Sequence, residues 1–383
     1  MKVYRDQSLI RPDLQAHLYS ERLLDNVRAL RSLCSPATRF CAVVKANAYG
    51  HGIREVVNIL KNGPVDFFAV ATFYEALHIR PLVRRQPILI LEPIHPAQPA
   101  EQIRLCAAAG FHCVLASLEG FEWACRALAG TERILAIHLN LETGMGRCGM
   151  DPQEAAILLE RLSSRTMLRL AGILTHYATA DEEDLSFAWE QQRRFDDFLQ
   201  TYRLKNRPDL LIHSCNSAAA IKMPQAHYSM VRCGISMYGY YSRPASNPPI
   251  VLKPVLKLQA PLTLIKKIKA GSSVGYGRTF VAKRDTLTGL VPLGYADGYR
   301  RVFSNKAVMK LGNYFVPVIG RVCMDQVIVD VTDVPDAEIG QMVTVIDDEH
   351  QSPCGVYALA ELADTICYEI LTLIHAHVNR IVH

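Results

Sequence analysis

The sequence predicts an α/β protein: an N-terminal (β/α)8 (TIM) barrel over residues 10–245, followed by a mostly β domain over residues 246–383. Three observations carry that prediction. Eight short apolar runs alternate with helical patterns over the first two thirds of the chain. The runs lack a polar face, as parallel strands covered by helices on both sides do. At "RPASNPP" the texture changes, and strands bounded by Gly and Pro replace the long helices.

The elements follow in order. "ERLLDNVRALRSL" sets Leu23, Leu24, Val27, Leu30 and Leu33 on one helical face. The strand runs are "FCAVV", "FFAVA", "PILIL", "HCVLA", "RILAIHLNL", "LRLAGILTH", "LLIHSC" and "YSMVRC". Helical patterns between them include "EGFEWACRALA", "PQEAAILLERL" and "LSFAWEQQRRFDDFLQ". Eight strands with helical crossovers fit a closed barrel. An open doubly wound sheet is the alternative, weakened because no G-x-G-x-x-G follows the first strand. Beyond the joint, "LTLIKKI", "LTGLVPL", "FVPVIG", "QVIVDV" and "MVTVID" read as an antiparallel domain. "VYALAELADTICYEILTLI" reads as one closing helix, with Leu359, Leu362, Ile366 and Ile370 at helical spacing.

Composition removes several classes of function. The net charge of +5 over 383 residues is small, and the basic residues are scattered in pairs such as Arg84-Arg85 and Lys266-Lys267. No basic stripe interleaved with aromatics is present, which argues against nucleic acid. No apolar run approaches a membrane span, and "MKVYRDQSLI" has no apolar core of a secretion signal. None of the eleven cysteines forms a C-x-x-C pair, which disfavours a disulfide framework or a structural metal site. The expectation is a cytoplasmic protein with reduced thiols.

The chemistry starts at "AVVKANAYGHG", where Lys45 ends a buried apolar run. A lysine there either snorkels to water or is desolvated for Schiff-base chemistry. In a barrel, functional residues collect at the carboxyl ends of the strands. Those ends supply Lys45 and Tyr49, the loop from Asn140 to Arg147, His176, His213, Asn216 and Ser217, then Arg232 and Gly234. Each alone has a plain structural reading; together at one rim they suit pyridoxal 5′-phosphate (PLP). That group needs an amine for its aldehyde, hydroxyl and backbone N–H donors for its phosphate, and a partner for its ring nitrogen.

These residues carry a resemblance. "AVVKANAYGHG", followed in order by "TGMGRCG", "THYATAD", "NSAA", "VRCGISMYG", "VGYGRTF", "GYADGY", "GRVCMDQ" and "YEIL", resembles the alanine racemases, a two-domain PLP-dependent family of fold type III. The resemblance spans essentially the whole chain. It implies a homodimer with shared active sites that racemises L- and D-alanine and supplies D-alanine for cell-wall peptidoglycan. It further implies that Lys45 binds the cofactor and acts as one base, with Tyr276 as the other on the opposite face. Tyr49, Ser217, Gly234, Ile235 and Tyr368 bind phosphate; Arg232 faces the ring nitrogen, with His176 between it and Tyr276. Arg147 and Met324 hold the substrate carboxylate, and Asp181, Tyr295, Arg301 and Arg321 line the entrance.

The chain departs from the family pattern at Asn140, where many members carry a carbamylated lysine that pairs with the arginine seven residues on. Asparagine cannot be carbamylated. An inorganic anion such as chloride between Asn140 and Arg147 is the expected replacement, with a reoriented Glu142 as the alternative. Cys148, Cys233 and His17 also replace the usual residue types. Other readings are a racemase of serine or a broader set of amino acids, a decarboxylase of the same fold type, and a non-catalytic PLP-binding protein. The last two are not expected to carry "VGYGRTF", "GYADGY" and "CMD" in a second domain.

Overall fold

The computed structural model describes residues 10–162, 166–244 and 248–383. The opening nonapeptide and the expected division at residues 245/246 lie outside the described residues. The first strand, β1 (Arg11–Leu18), and helix α1 (Ser20–Ser32) precede the alternating unit. Then come β2 (Arg39–Val43), α2 (Lys45–Tyr49), α3 (Ile53–Leu60), β3 (Phe67–Val70) and α4 (Phe73–Ile79). They are followed by β4 (Ile88–Pro93), α5 (Ala100–Ala109), β5 (His112–Leu115), α6 (Leu118–Leu128), β6 (Leu135–Asn140) and α7 (Pro152–Leu162). The series ends with β7 (Leu168–Leu174), α8 (Ser186–Thr201), β8 (Leu211–His213), α9 (Ser217–Lys222) and β9 (Met230–Cys233).

Strands β2 to β9 form one parallel sheet in the order β8-β7-β6-β5-β4-β3-β2-β9. The two ends meet through Ser229 N–H to the Ile212 carbonyl at 3.1 Å and Arg232 N–H to the Cys215 carbonyl at 3.0 Å. The result is a nearly closed barrel. All eight expected apolar runs are strands of it. Their all-apolar composition follows from double burial: Phe68, Ala69, Leu89, Val114, Ile137 and Ile173 are sealed between barrel interior and helices.

The second domain contains β10 (Leu256–Pro261), β11 (Leu264–Ile268), β12 (Ser273–Val274), β13 (Phe280–Val281) and β14 (Thr286–Val291). It continues with β15 (Val308–Leu311), β16 (Tyr314–Pro317), β17 (Val327–Asp330), β18 (Met342–Ile346), α10 (Val356–Leu362), α11 (Cys367–Thr372) and β19 (Val378–Val382). Its largest sheet runs β16-β15-β18-β10-β1-β19. Two features differ from the expectation. Strand β1, placed with the barrel by sequence, is hydrogen-bonded between β10 and β19, and its pairing with β19 is parallel. The single closing helix is two helices, because Asp364 turns left-handed (φ +50) and Ile366 is extended. A left-handed residue ends a helix, and Thr365 N–H closes on the Ala360 carbonyl at 3.0 Å. Ile366 is consequently exposed rather than buried with Leu359 and Ile370. The break turns α11 so that Tyr368 faces the barrel mouth.

Candidate active site

Lys45 follows β2 and opens a turn with an unusual backbone. Ala46, Asn47, Ala48 and Tyr49 all have φ of +52 to +53, a left-handed turn made without glycine. Such residues cost about 1–2 kcal/mol each, so the surroundings must hold them. Glu75 does part of this: one carboxylate oxygen accepts from Ala46 N–H at 2.7 Å, the other from Ala71 and Thr72 N–H at 2.8 and 3.2 Å. The Asn47 side chain accepts from Ile53 N–H at 2.9 Å. Gly50 lies so close to α11 that a β-carbon would overlap the Leu371 carbonyl. Arg380, from β19, donates to the Gly50 carbonyl at 2.7 Å. The turn aims the half-buried Lys45 into the mouth. Burial, then the charge of Arg147, pushes its pKa down, Glu75 partly opposing and Arg232 adding to the fall.

Beside the lysine the chain builds a cradle of neutral donors. Ser217, at the start of α9, accepts from the Gly234 amide at 2.9 Å. Gly234 allows a close approach: a β-carbon there would overlap the Tyr49 hydroxyl. The Tyr49 ring lies 5.1 Å from Tyr238 and 6.0 Å from Tyr368. Tyr368 exchanges a 2.8 Å hydrogen bond with Ser242. Burial pushes its phenol up to about 12, and Tyr49 higher still, so both remain neutral donors. Ile235 and Ser236 continue the backbone, and the buried Ser236 hydroxyl has no hydrogen-bond partner among the described residues.

Arg232 occupies the barrel centre, buried, and is surrounded by neutral acceptors. It donates to Nδ1 and the carbonyl of His213 (both 2.9 Å), the carbonyls of Thr175 (2.9 Å) and Ser214 (3.0 Å), and Nδ1 of His176 (3.3 Å). No carboxylate pairs with it among the described residues. Burial, then the cations Arg232, Arg147 and Lys45, pushes His176 down to about 3. The imidazole is therefore uncharged, and Arg232 donation to Nδ1 leaves its proton on Nε2.

Asn140 ends β6, and the loop after it brings the charge of Arg147 to bear on Lys45. The Asn140 amide donates to the Cys148 carbonyl at 2.9 Å and reaches its thiol at 3.4 Å. The Glu142 carboxylate accepts from Gly144 and Gly146 N–H at 2.5 and 3.1 Å and is tied to its own loop. Arg147 has no carboxylate partner among the described residues. Asp181, on the loop after β7, contributes its charge to the rise at Tyr368, and its carbonyl accepts from Lys222.

Tyr276, Tyr295, Arg301, Arg321 and Met324 gather on the second domain instead. The Tyr276 turn lies against the Arg321 guanidinium at Gly277, and Ala296 N–H binds the Met324 carbonyl at 2.9 Å. Among the described residues none of these five makes a hydrogen bond or ion pair with the barrel rim. Tyr276 is 71% exposed and Met324 58%. One chain thus brings together the barrel half of the expected site and sets the other half apart.

The sequence reading missed Glu75, although Thr72-Phe73-Tyr74-Glu75 is a legible capping box and forms one. It also missed Asp297, buried in "GYADGY", whose carboxylate accepts from Gly294 N–H at 2.8 Å and from His377 at 2.6 Å and so shapes the Tyr295 turn.

Comparison with known proteins covers nearly the whole chain. The "Alanine racemase, N-terminal domain" profile matches residues 19–242, and the "Alanine racemase, C-terminal domain" profile matches residues 255–382. The alanine racemase of Desulfosudis oleivorans is 35% identical over 379 residues, covering 96% of this chain and 95% of that protein. The crystal structure of alanine racemase from a D-cycloserine-producing Streptomyces lavendulae superimposes with a TM-score of 0.90 at 29% identity, covering 97% of both chains. That of Bartonella henselae, with covalently bound pyridoxal phosphate, gives 0.85 at 27% identity, covering 97% of this chain and 100% of that one. The chain belongs to the alanine racemase family.

Proposed function

We propose that the protein interconverts L- and D-alanine with PLP held at the barrel mouth, using Lys45 and Tyr276 as bases on opposite faces of the substrate. The observation that carries this reading is the convergence, at one rim, of a desolvated lysine, a neutral hydroxyl cradle and an arginine that pairs with no carboxylate among the described residues. The cradle fits a phosphate monoester: Gly234 leaves room beside the Tyr49 hydroxyl, and the Ser236 hydroxyl lacks a partner among the described residues. Tyr49, Ser217, Gly234, Ile235 and Tyr368 would hold that phosphate, and Lys45 would hold the aldehyde.

When bound, PLP supplies an electron sink that makes the amino acid's α-proton removable. The chain does the rest. Lys45 Nζ, made less basic by burial and nearby cations, takes or returns the proton on one face. Arg232 cannot release a proton; beside a bound cofactor's ring nitrogen it would offer a donor and no acid, which would weaken the sink and limit side reactions. Tyr276 Oη serves the other face. His176 Nε2–H points its donor away from Arg232, suited to lower the basicity of a phenolate. Arg147 and Met324 orient the substrate carboxylate, and Asp181, Tyr295, Arg301 and Arg321 line its way in.

Tyr276 and Met324 are exposed apolar surface in one chain, and such surface calls for cover. A homodimer in which the second domain of one copy caps the barrel of the other supplies it and completes the site. At the Asn140 position, an inorganic anion such as chloride pairs with Arg147; this reading is supported by Glu142 being bound to its own loop. Anomalous density in bromide-soaked crystals checks it, and Glu142 on Arg147 with no anion refutes it.

The function is tested by circular dichroism of L-alanine incubated with protein and PLP. Racemisation takes the signal to zero with no loss of amino acid; carbon dioxide release identifies a decarboxylase, and an unchanged signal a carrier. The same assay on L-serine and longer amino acids sets the substrate range.

A further inference from the structure

Arg232 is one end of a chain of imidazoles that crosses the barrel interior. Its Nη1 donates to His213 Nδ1 at 2.9 Å. His213 Nε2 meets His138 Nδ1 at 2.7 Å, and His138 Nε2 meets His112 Nδ1 at 2.8 Å. The rings come from β8, β6 and β5 and lie 5.0 and 5.1 Å apart. His213 and His138 are fully buried, while His112 is half-buried at the amino-terminal end of its strand. The fold makes room for this path. The β6–β7 register slips between Ile137 and His138, and Gly172 on β7 faces the slip; a β-carbon there would overlap the His138 ring.

An arginine only donates, and that fixes the direction of every bond beyond it. His213 must accept at Nδ1, so its proton sits on Nε2 and is given to His138 Nδ1. His138 then carries its proton on Nε2 and gives it to His112 Nδ1. Arg232 Nη2, donating to His176 Nδ1, imposes the same tautomer on the opposite side. Reversing any link would set two N–H groups head to head in a buried site. Burial holds all three relay imidazoles uncharged, His112 down to about 4 and the inner two well below the ordinary imidazole value. The path cannot carry a proton through, because its inner end is a group that does not give one up.

We propose that Arg232 locks His213, His138 and His112 into a single run of Nε2–H tautomers, and that this run in turn positions the guanidinium without a counter-charge. A carboxylate would neutralise Arg232, and a lone neutral acceptor would leave a loose, partly unsatisfied partner. A satisfied imidazole stack gives orientation and leaves the full positive charge facing the mouth. The link to turnover rests on the role proposed above for Arg232; the tautomers do not.

The test is long-range 1H–15N correlation of [15N]histidine-labelled, PLP-loaded protein, with signals assigned through the single variants His213→Gln, His138→Gln and His112→Gln. The expected result is an unprotonated Nδ1 and a protonated Nε2 at all three relay histidines. A protonated Nδ1 at His213 or His138 overturns the proposal. In His112→Leu the inner two tautomers should persist, because direction is set from Arg232; reversal there overturns the proposal too. As the functional readout, His213→Phe should lower kcat about tenfold with KM within about twofold, and His213→Gln should recover most of it. Equal kcat in both variants would refute the positioning role while leaving the tautomer result, and the racemase reading, to stand or fall on their own assays.

Discussion

Lys45 is held where its charged form is disfavoured, and this has a consequence for folding. Its ordinary pKa is 10.5, and burial and neighbouring cations lower it in the folded protein. The unfolded chain therefore binds the extra proton between the two values, so stability rises with pH across that window and the penalty is fully present below it. Lys45→Met should make the cofactor-free protein more stable at pH 7 in denaturant titrations, with the gain fading as pH approaches 10.5. An unchanged or lower midpoint at pH 7 would mean the lysine is not desolvated. The same variant should lose the visible absorption band of the lysine-bound cofactor after dialysis. Ser217 bears on the same site: Ser217→Ala removes the acceptor of the Gly234 amide, leaving a buried donor unsatisfied at about 1–3 kcal/mol. It should raise the half-saturating PLP concentration at least as much as it lowers stability.

At the scale of elements, the left-handed turn in α2 is the costly piece. Ala46 is exposed with φ +52, so Ala46→Val should destabilise by about 1–2 kcal/mol, whereas Ala46→Gly should be neutral or stabilising by up to about 1 kcal/mol. Matching losses in both variants would place the cost in lost contacts rather than in backbone strain. Asn47 and the small residues after Lys45 announce a turn, but not four consecutive left-handed residues, because their support comes from Glu75, Leu371 and Arg380, far along the chain. The barrel strands were legible because double burial leaves an all-apolar run. The place of β1 was not: "RPDLQAHL" has the alternation of a half-buried strand, but only its distant partners β10 and β19 assign it to the second domain. The break at Asp364 was hidden by continuous helical spacing on either side. The rim residues could be read singly from strand ends, but the histidine relay could not, since each member is one histidine in an apolar strand.

At the scale of the molecule, desolvation holds five histidines uncharged among the described residues: His51 and His112 down to about 4, His176 to about 3, His138 and His213 well below the ordinary 6.5. The unfolded chain takes up those protons as pH falls below 6.5. Stability should drop from pH 6.5 towards 4, each histidine adding up to about 1.4 kcal/mol per pH unit. His138→Gln should reduce the proton uptake on unfolding, measured from denaturation across that range, by about one. The central claim is that Lys45 and Tyr276 work in one site built from two chains, since a single chain sets the exposed Tyr276 apart from the barrel rim. Its most direct test mixes Lys45→Ala with Tyr276→Phe protein, each inactive alone, under conditions where mass spectrometry shows that subunits exchange. A mixed dimer then has one site with both lesions and one intact site, and racemase activity should reappear in proportion to its abundance. Background activity with exchange demonstrated would contradict the shared site and remove Tyr276 as the second base.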